Sequence, residues 1–228
     1  LPSQAYDVLT TEQSLQLSDT QILGERAVNE TRFRYEGGQS NQAAQSLLPS
    51  VRVTGAFNGG GANRNSATNT KNYELQNFTS FIAGPHVLKF GGRVRINHNV
   101  DVSSTNFQGT FTFASLAAYQ LTMQGLQANQ SIAQIRANCL AAGKGNSDCG
   151  PNQFTITAGT PQAVVDVMDT GLYVQDDWRV RPNLTLSGGL RFETQTRIPD
   201  HADIAPRFGL AWAIGNKNRP TVIRGGLG

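Results

Sequence analysis

The chain has 228 residues, a formal net charge of +3 and only 15% charged residues. So small a charge, carried by arginines that are spread along the chain, argues against a nucleic-acid-binding protein. No stretch reaches the roughly 18 consecutive apolar residues that a membrane helix needs, but a β-barrel wall needs only every second residue to be apolar.

The first strand patterns are separated by polar segments. Residues 12–22 alternate weakly between apolar and polar side chains, and residues 28–37 alternate clearly, as the two-residue period of a strand requires. The polar, glycine-rich stretch 38–71 contains one short strand pattern, at 51–57.

The next two strand patterns, at 72–82 and 87–98, predict a hairpin. A turn of four residues, 83–86, keeps the apolar side chains of both strands on one face, whereas a turn of three residues places a glutamate among them. With the four-residue turn, the expected pairs are Tyr73 with Ile96, Leu75 with Val94, Phe81 with Leu88 and, on the polar face, Glu74 with Arg95.

A long excursion follows at 99–167. It contains a strand pattern at 107–113 and a predicted helix from Leu116 to Leu140, whose apolar residues fall near helical spacing. Ser115 is the expected N-cap, since its hydroxyl can accept a hydrogen bond from the first helical turn.

The clearest pattern is the hairpin from Asp169 to Glu193. Each of its strands has one apolar and one polar face, and Arg181-Pro182-Asn183 has the composition of a tight turn. A three-residue turn predicts the apolar pairs Val180 with Leu184, Trp178 with Leu186, Val174 with Leu190 and Leu172 with Phe192, and the polar pairs Tyr173 with Arg191 and Asp177 with Ser187.

Two last strand patterns, 205–214 and 221–228, flank a polar turn at 215–220. Connections along the chain alternate in length. Antiparallel outer-membrane barrels have short periplasmic turns and longer extracellular loops, so the short and the long connections are expected on opposite rims. The short ones are 23–27, 83–86, 181–183 and 215–220, and the long ones are 38–71, 99–167 and 195–204.

Several stretches are similar to the barrel of TonB-dependent outer-membrane receptors, specifically the Oar-like branch. This resemblance implies an all-β fold: a portion of an antiparallel transmembrane β-barrel with about eight long strands, in the bacterial outer membrane. The implied domain is a partial barrel over 1–228, with 99–167 as a long extracellular insertion. The similar stretches are GLYVQDDWRVRPNLTLSGGLRFE (171–193), IAPRFGLAWAI (204–214), TVIRGGLG (221–228), NYELQNFTSFIAGPHVLKFGGRVR (72–95) and FQGTFTF (107–113).

In such a barrel the polar face lines the lumen and the apolar face meets lipid. Trp178 and Trp212, near the short-turn ends of their strands, are expected in an aromatic girdle at the membrane interface. The predicted lumen-facing residues are Glu74, Lys89, Arg93, Arg95, Tyr173, Gln175, Asp177, Arg179, Arg191, Glu193 and Arg207. The predicted lipid-facing residues are Leu172, Val174, Trp178, Leu186, Leu190, Phe192, Phe208, Leu210 and Trp212.

Asp176 does not fit this alternation, because it falls on the apolar face opposite Gly188. Two explanations stay open. Asp176 lies close enough to the periplasmic turn to be wetted by lipid headgroups, which we favour, or a β-bulge at Asp176-Asp177 turns it inward.

Cys139 and Cys149 lie in the long insertion. In an extracellular loop, two nearby cysteines are expected to form a disulfide, and two free thiols are the alternative. No metal site is expected there, since no histidine is near in sequence. The segment with Asp200, His201 and Asp203 has the composition of a polar loop.

We expect neither a cofactor nor an enzymatic activity. No serine, histidine and acid share a hydrolase motif. The glycine pairs at 91–92, 188–189 and 225–226 precede no helix that would bind a phosphate. Inside a strand, glycine more often allows a bend or an aromatic ring that lies over it.

The resemblance implies part of a receptor that binds and takes up a large ligand across the outer membrane. Its implied partners are outer-membrane lipid, an unidentified ligand at the extracellular loops, and the energy-coupling complex, which acts through a plug domain. Both chain ends have the pattern of fragment ends, so the plug and any signal peptide are expected outside this sequence. Two other hypotheses stay open: a small complete eight-stranded barrel acting as an adhesin or structural protein, and a soluble all-β interaction module.

Overall fold

The computed structural model describes residues 2–199, 201, 203–215 and 221–228. Strands make up most of these residues. In chain order the elements are β1 (Tyr6–Leu23), β2 (Ala27–Ala44), β3 (Ser50–Val53), β4 (Phe57–Gly60), β5 (Ser66–Ala83), β6 (His86–Ser103), β7 (Thr110–Phe113), α1 (Leu116–Gln127), α2 (Ile132–Ala141), β8 (Gln153–Thr155), β9 (Gln162–Arg181), β10 (Leu184–Gln195), β11 (Asp203–Ile214) and β12 (Thr221–Leu227).

Eight of the strands form one antiparallel sheet, in the order β1-β2-β5-β6-β9-β10-β11-β12. Because strands that follow one another are neighbours, the short turns after β1, β5 and β9 lie at one end of the sheet, and the longer connections after β2, β6 and β10 lie at the other. This is the predicted alternation. Most of the turn predicted at 215–220 lies outside the described residues.

The strands are longer than the side-chain alternation predicted. β1, β2, β5 and β6 each have 18 residues and β9 has 20, whereas about 9–11 residues are enough to cross a membrane. Polar segments at the strand ends also pair, because the hydrogen bonds between strands join backbone N–H and C=O groups and do not depend on the side chains. The connection predicted at 99–167 therefore begins only after Ser103 and ends before Gln162.

A second sheet of four short strands has the order β4-β3-β7-β8, with β3 parallel to β7. The segment predicted as one strand at 51–57 is in fact the β3–β4 hairpin. A small core of Val53, Phe113 and Ala118 joins this sheet to α1. The ring of Tyr119 closes it, with centroids 5.1 Å from Phe57 and 5.3 Å from Phe113.

The described chain divides into two compact units. The first contains the residues up to Thr11, Gln39–Asn69 and Val100–Val164, and the second contains Glu12–Gly38, Thr70–Asn99 and the residues from Val165 onward. All the fully buried apolar side chains among the described residues belong to the first unit. In the second unit apolar side chains are exposed, for example Leu172 at 54% and Phe208 at 65%, so its sheet has an apolar surface suited to lipid.

The helix predicted over Leu116–Leu140 is two helices. Ser115 caps α1 as predicted, since its Oγ accepts from the backbone N–H of Ala118 (3.2 Å). The helix is interrupted at Asn129, which has a positive φ of 54°. Ser131 is the N-cap of α2 and forms a capping box with Gln134. No helix among the described residues is both long enough and apolar enough to cross a membrane.

Candidate functional site

The register of β9 and β10 follows the prediction from Thr185 to Gln195. One predicted pair is wrong: Leu184 lies opposite Arg181 and not opposite Val180, because the register shifts between Leu184 and Thr185. The turn consists of Pro182-Asn183 alone, and the tighter turn leaves Val180 as an extra residue in its strand. The predicted pairs that form are Trp178 with Leu186, Val174 with Leu190, Leu172 with Phe192, Tyr173 with Arg191 and Asp177 with Ser187.

β11 continues both faces, since Leu186 lies opposite Leu210, Leu184 opposite Trp212 and Gly189 opposite Arg207. Side chains alternate along a strand, so the two predicted sets separate onto opposite faces. The apolar face carries Leu172, Val174, Trp178, Leu186, Leu190, Phe192, Phe208, Leu210 and Trp212. The polar face carries Tyr173, Gln175, Asp177, Arg179, Arg191, Glu193 and Arg207.

The β5–β6 hairpin has cross-strand bonds that match the predicted register. Thr68 Oγ1 donates to Asp101 (2.8 Å) and Thr70 Oγ1 to Asn99 (3.0 Å), which are pairs of the same register as Glu74 with Arg95. The turn is shorter than predicted, because Ala83 and His86 already belong to the strands.

Glu74 and Arg95 share the predicted cross-strand register, but no ion pair within 4.0 Å joins them. Nε of Arg95 instead donates to Oδ2 of Asp169 on β9, at 2.7 Å. Glu74 accepts from the amide of Gln76 on its own strand. The alternation placed Glu74 and Arg95 side by side, but it could not show that β9 brings a carboxylate to the other side of Arg95.

Asp177 is the best-connected acceptor of the polar face. It accepts from Lys89 Nζ (2.8 Å), Gln175 Nε2 (2.9 Å) and Ser187 Oγ (2.6 Å). These bonds tie β6, β9 and β10 together. The carboxylate is half-buried, with 22% of its side chain exposed, so each bond replaces water that it would otherwise bind.

A second group of charges lies further along the same strands. Arg95 and Arg93 share Asp169, at 2.7 Å and 3.5 Å, and Arg93 also lies 4.0 Å from Glu193. Glu193 is paired more closely with Arg191. Asp169, which begins the clearest strand pattern, was not among the predicted lumen-facing residues, although its position on the polar face was evident from the alternation.

Asp176 stays on the apolar face, opposite Gly188 as predicted, and no bulge occurs at Asp176-Asp177. Its Oδ2 lies 2.7 Å from Nδ1 of His86 on β6. The ring of His86 stacks on Trp178 with centroids 5.5 Å apart and planes 11° from parallel. Sequence reasoning missed this partner, because nothing in the sequence fixed the register between β6 and β9 across their long connection.

A second polar cluster on the apolar face was also missed. Asn29 and Asn77 exchange amide hydrogen bonds, both 3.1 Å long, and each donates a further bond, to Thr79 (2.7 Å) and Thr31 (2.8 Å) respectively. These residues share the face of Tyr35 and Tyr73, whose rings are 5.1 Å apart. Polar residues at alternating positions inside an otherwise apolar set were the available signal.

Cys139 and Cys149 form the predicted disulfide. Both are almost fully buried, at 4% and 1% exposure. The bond connects the end of α2 to the segment before β8. Asp200 lies outside the described residues, and His201 contacts Oγ1 of Thr194 at 3.3 Å.

Comparisons with known proteins agree with this architecture. A family model described as an outer membrane beta barrel domain matches residues 3–200. No curated protein matches the chain. Among solved structures, the outer membrane transporter YddB from Escherichia coli is similar, with a TM-score of 0.54 and 14% identity, over 92% of this chain but only 24% of that chain.

The chain therefore spans about a quarter of the transporter's length, and at this identity the likeness shows the fold alone. The family match covers most of the chain, and the antiparallel sheet with one exposed apolar face agrees with it. The chain belongs to the outer-membrane β-barrel domain family and is a protein of the bacterial outer membrane.

Proposed function

We propose that this chain is part of the barrel of a TonB-dependent outer-membrane receptor, of the Oar-like branch, which binds a large ligand and takes it up across the outer membrane. The observation that supports this most directly is a sheet with one hydrogen-bonded, charged face and one exposed apolar face, in a fold similar to that of an outer membrane transporter. The proposed role is transport, without a catalytic reaction or a cofactor.

In this proposal the polar face lines the lumen and the apolar face meets lipid. Charged side chains of β6, β9 and β10 are paired in a way that suits a wet channel wall. Exposed leucines and phenylalanines on the other face suit hydrocarbon, and Trp178 and Trp212, near the short-turn ends of β9 and β11, suit the periplasmic interface.

The proposed domain is a partial barrel, with the segment 99–167 as its extracellular insertion. An eight-stranded barrel is also the smallest complete kind, so an adhesin or structural barrel is the second candidate. The length of the open reading frame around this sequence distinguishes the two. A receptor requires further strands and a plug domain in the same frame, and their absence would favour the small barrel.

Coupling to the energy-transducing complex is tested by direct binding. The full-length protein in detergent micelles is expected to bind the purified periplasmic domain of the TonB protein saturably. Deleting the segment that precedes the plug of the full-length protein is expected to abolish this binding. Heat-modifiable gel mobility is the control that shows that the barrel of the deletion variant stays folded. A full-length, folded protein that does not bind this domain would refute the receptor proposal.

A further inference from the structure

Three guanidinium groups of the polar face lie close to two carboxylates. Within 4.0 Å, Arg93, Arg95 and Arg191 share Asp169 and Glu193. Arg95 and Arg191 make the short contacts, and Arg93 is left with distances of 3.5 Å and 4.0 Å. Arg93 is thus the least satisfied member of this group.

Three donors on this face have no acceptor among the described residues. Nε of Arg93 is buried and donates to none. The hydroxyl of Tyr173 makes no hydrogen bond with the described residues, and its ring rests 5.9 Å from that of Phe78. The guanidinium of Arg207 makes neither a hydrogen bond nor an ion pair within the described part of the chain. Nε of Arg93 is removed from water without an acceptor, which is unfavourable. The hydroxyl of Tyr173 and the exposed guanidinium of Arg207 are open to a ligand. Together these donors suit a ligand that supplies acceptors.

The same residues line two adjoining hollows. The lining of one, of about 180 Å³, includes Gln76, Phe78, Arg93, Tyr173 and Arg191 beside Leu172 and two glycines. The lining of the other, of about 200 Å³, includes Tyr173, Gln175, Arg191 and Arg207 beside Val174, Leu190 and a glycine. Tyr173 and Arg191 belong to both. Each is smaller than the roughly 300 Å³ of a pocket for a whole drug-sized ligand, so each suits a single charged group.

We propose that the polar face carries an oxyanion-binding subsite centred on Tyr173, with Arg93 on one side and Arg207 on the other. Its ligand is a carboxylate or phosphate group, because such groups offer several acceptor oxygens and a negative charge to guanidinium and hydroxyl donors. Arg191 adds positive charge to both hollows while it remains paired with Glu193. The subsite depends on the polar face alone and holds whether or not the barrel is coupled to TonB.

Calorimetric titration of the full-length protein in detergent tests the subsite, with citrate and inorganic phosphate as probes at constant chloride. Saturable binding of at least one probe is expected. Arg207→Gln and Tyr173→Phe should each weaken it about tenfold, since each removes one donor to an anion. Stronger binding of citrate would assign the subsite to polycarboxylates, and stronger binding of phosphate to phosphorylated ligands.

Arg179→Gln is the matched control. Arg179 lies on the same face, opposite Thr185, but lines neither hollow, so this variant should bind the probe like the unmodified protein. If Arg179→Gln weakens binding as much as Arg207→Gln, general surface charge is responsible and the subsite is refuted. Absence of saturable binding by the unmodified protein would refute it equally. Heat-modifiable gel mobility shows that each variant is folded.

Discussion

Nδ1 of His86 lies 2.7 Å from Oδ2 of Asp176, on the face of the sheet that carries Leu172, Val174 and Phe192. The two residues come from β6 and β9, and the stacked ring of Trp178 covers the imidazole. About a third of each side chain is exposed, 38% for His86 and 34% for Asp176. A neighbouring strand therefore supplies a hydrogen-bonding partner for Oδ2 of Asp176 and an aromatic cover, whereas Oδ1 is buried without a partner among the described residues.

Replacing His86 by alanine should destabilise the barrel. Asp176 then loses its partner on the apolar face, and the expected loss in the free energy of unfolding is about 1–2 kcal/mol. Urea unfolding from lipid vesicles, followed by tryptophan fluorescence, measures it. Adding Asp176→Leu should recover much of this loss, because the orphaned carboxylate is gone.

The matched control is His98→Ala. His98 contacts Asp166 at 2.5 Å, but 62% of that aspartate side chain is exposed, so water can replace the lost partner. A change below about 0.5 kcal/mol is expected for such a pair. Equal effects of the two histidine variants would show that the setting of Asp176 is not special.

Gly91→Ala should destabilise the sheet, whereas Gly188→Ala should be tolerated. A Cβ on Gly91 would lie 2.2 Å from the backbone oxygen of Asn77 and 3.1 Å from the ring of Phe78, but one on Gly188 would meet nothing within 4 Å. Overpacking of this kind costs about 1–3 kcal/mol. The same urea unfolding assay compares the two variants, and equal stability of both would contradict the close contact at Gly91.

Asp177→Ala should lower the free energy of unfolding more than Lys89→Met does. The aspartate accepts bonds from Lys89, Gln175 and Ser187, so its loss leaves three donors unpaired, while loss of the lysine leaves two bonds in place. The expected losses are about 2 kcal/mol and about 1 kcal/mol respectively. If urea unfolding showed a larger loss for Lys89→Met than for Asp177→Ala, the contacts of Lys89 would contribute more to stability than those of Asp177.

Removing the disulfide should leave the barrel folded. Cys139→Ser with Cys149→Ser opens a ring in the connection between β6 and β9, which contributes no strand to the eight-stranded sheet. Unchanged heat-modifiable mobility is expected, together with faster protease cleavage between positions 139 and 149. In the unmodified protein both cysteines should resist alkylation until they are reduced, and alkylation without reduction would contradict the bond.

Much of the sheet could be predicted because alternating apolar and polar side chains, together with the position of the turn, determine which residues of a hairpin pair. The pairs Trp178–Leu186 and Leu172–Phe192 follow from the side-chain pattern and one turn. The error at Val180 arose because turn length decides the last pair, and proline with asparagine closes the hairpin in two residues rather than three. The strand ends were underestimated because backbone pairing continues where the alternation of side chains stops.

The partners across β6 and β9 could not be predicted in the same way. More than fifty residues separate those strands, so no turn fixes how they align. The contacts of Arg95 with Asp169 and of His86 with Asp176 depend on that alignment. The break of the helix at Asn129, in contrast, had a local signal, since Ser131 and Gln134 have the spacing of a capping box.

The paired amides of Asn29 and Asn77 constrain how this protein can change over evolutionary time. Each asparagine meets the other's hydrogen-bonding needs, and Thr79 and Thr31 take the remaining donors. An apolar residue at one position alone leaves the other asparagine's amide without a hydrogen-bonding partner on the apolar face. Apolar residues at both positions leave no amide that needs a partner. Positions 29 and 77 should therefore co-vary among homologous barrels, with leucine or valine appearing at both or at neither.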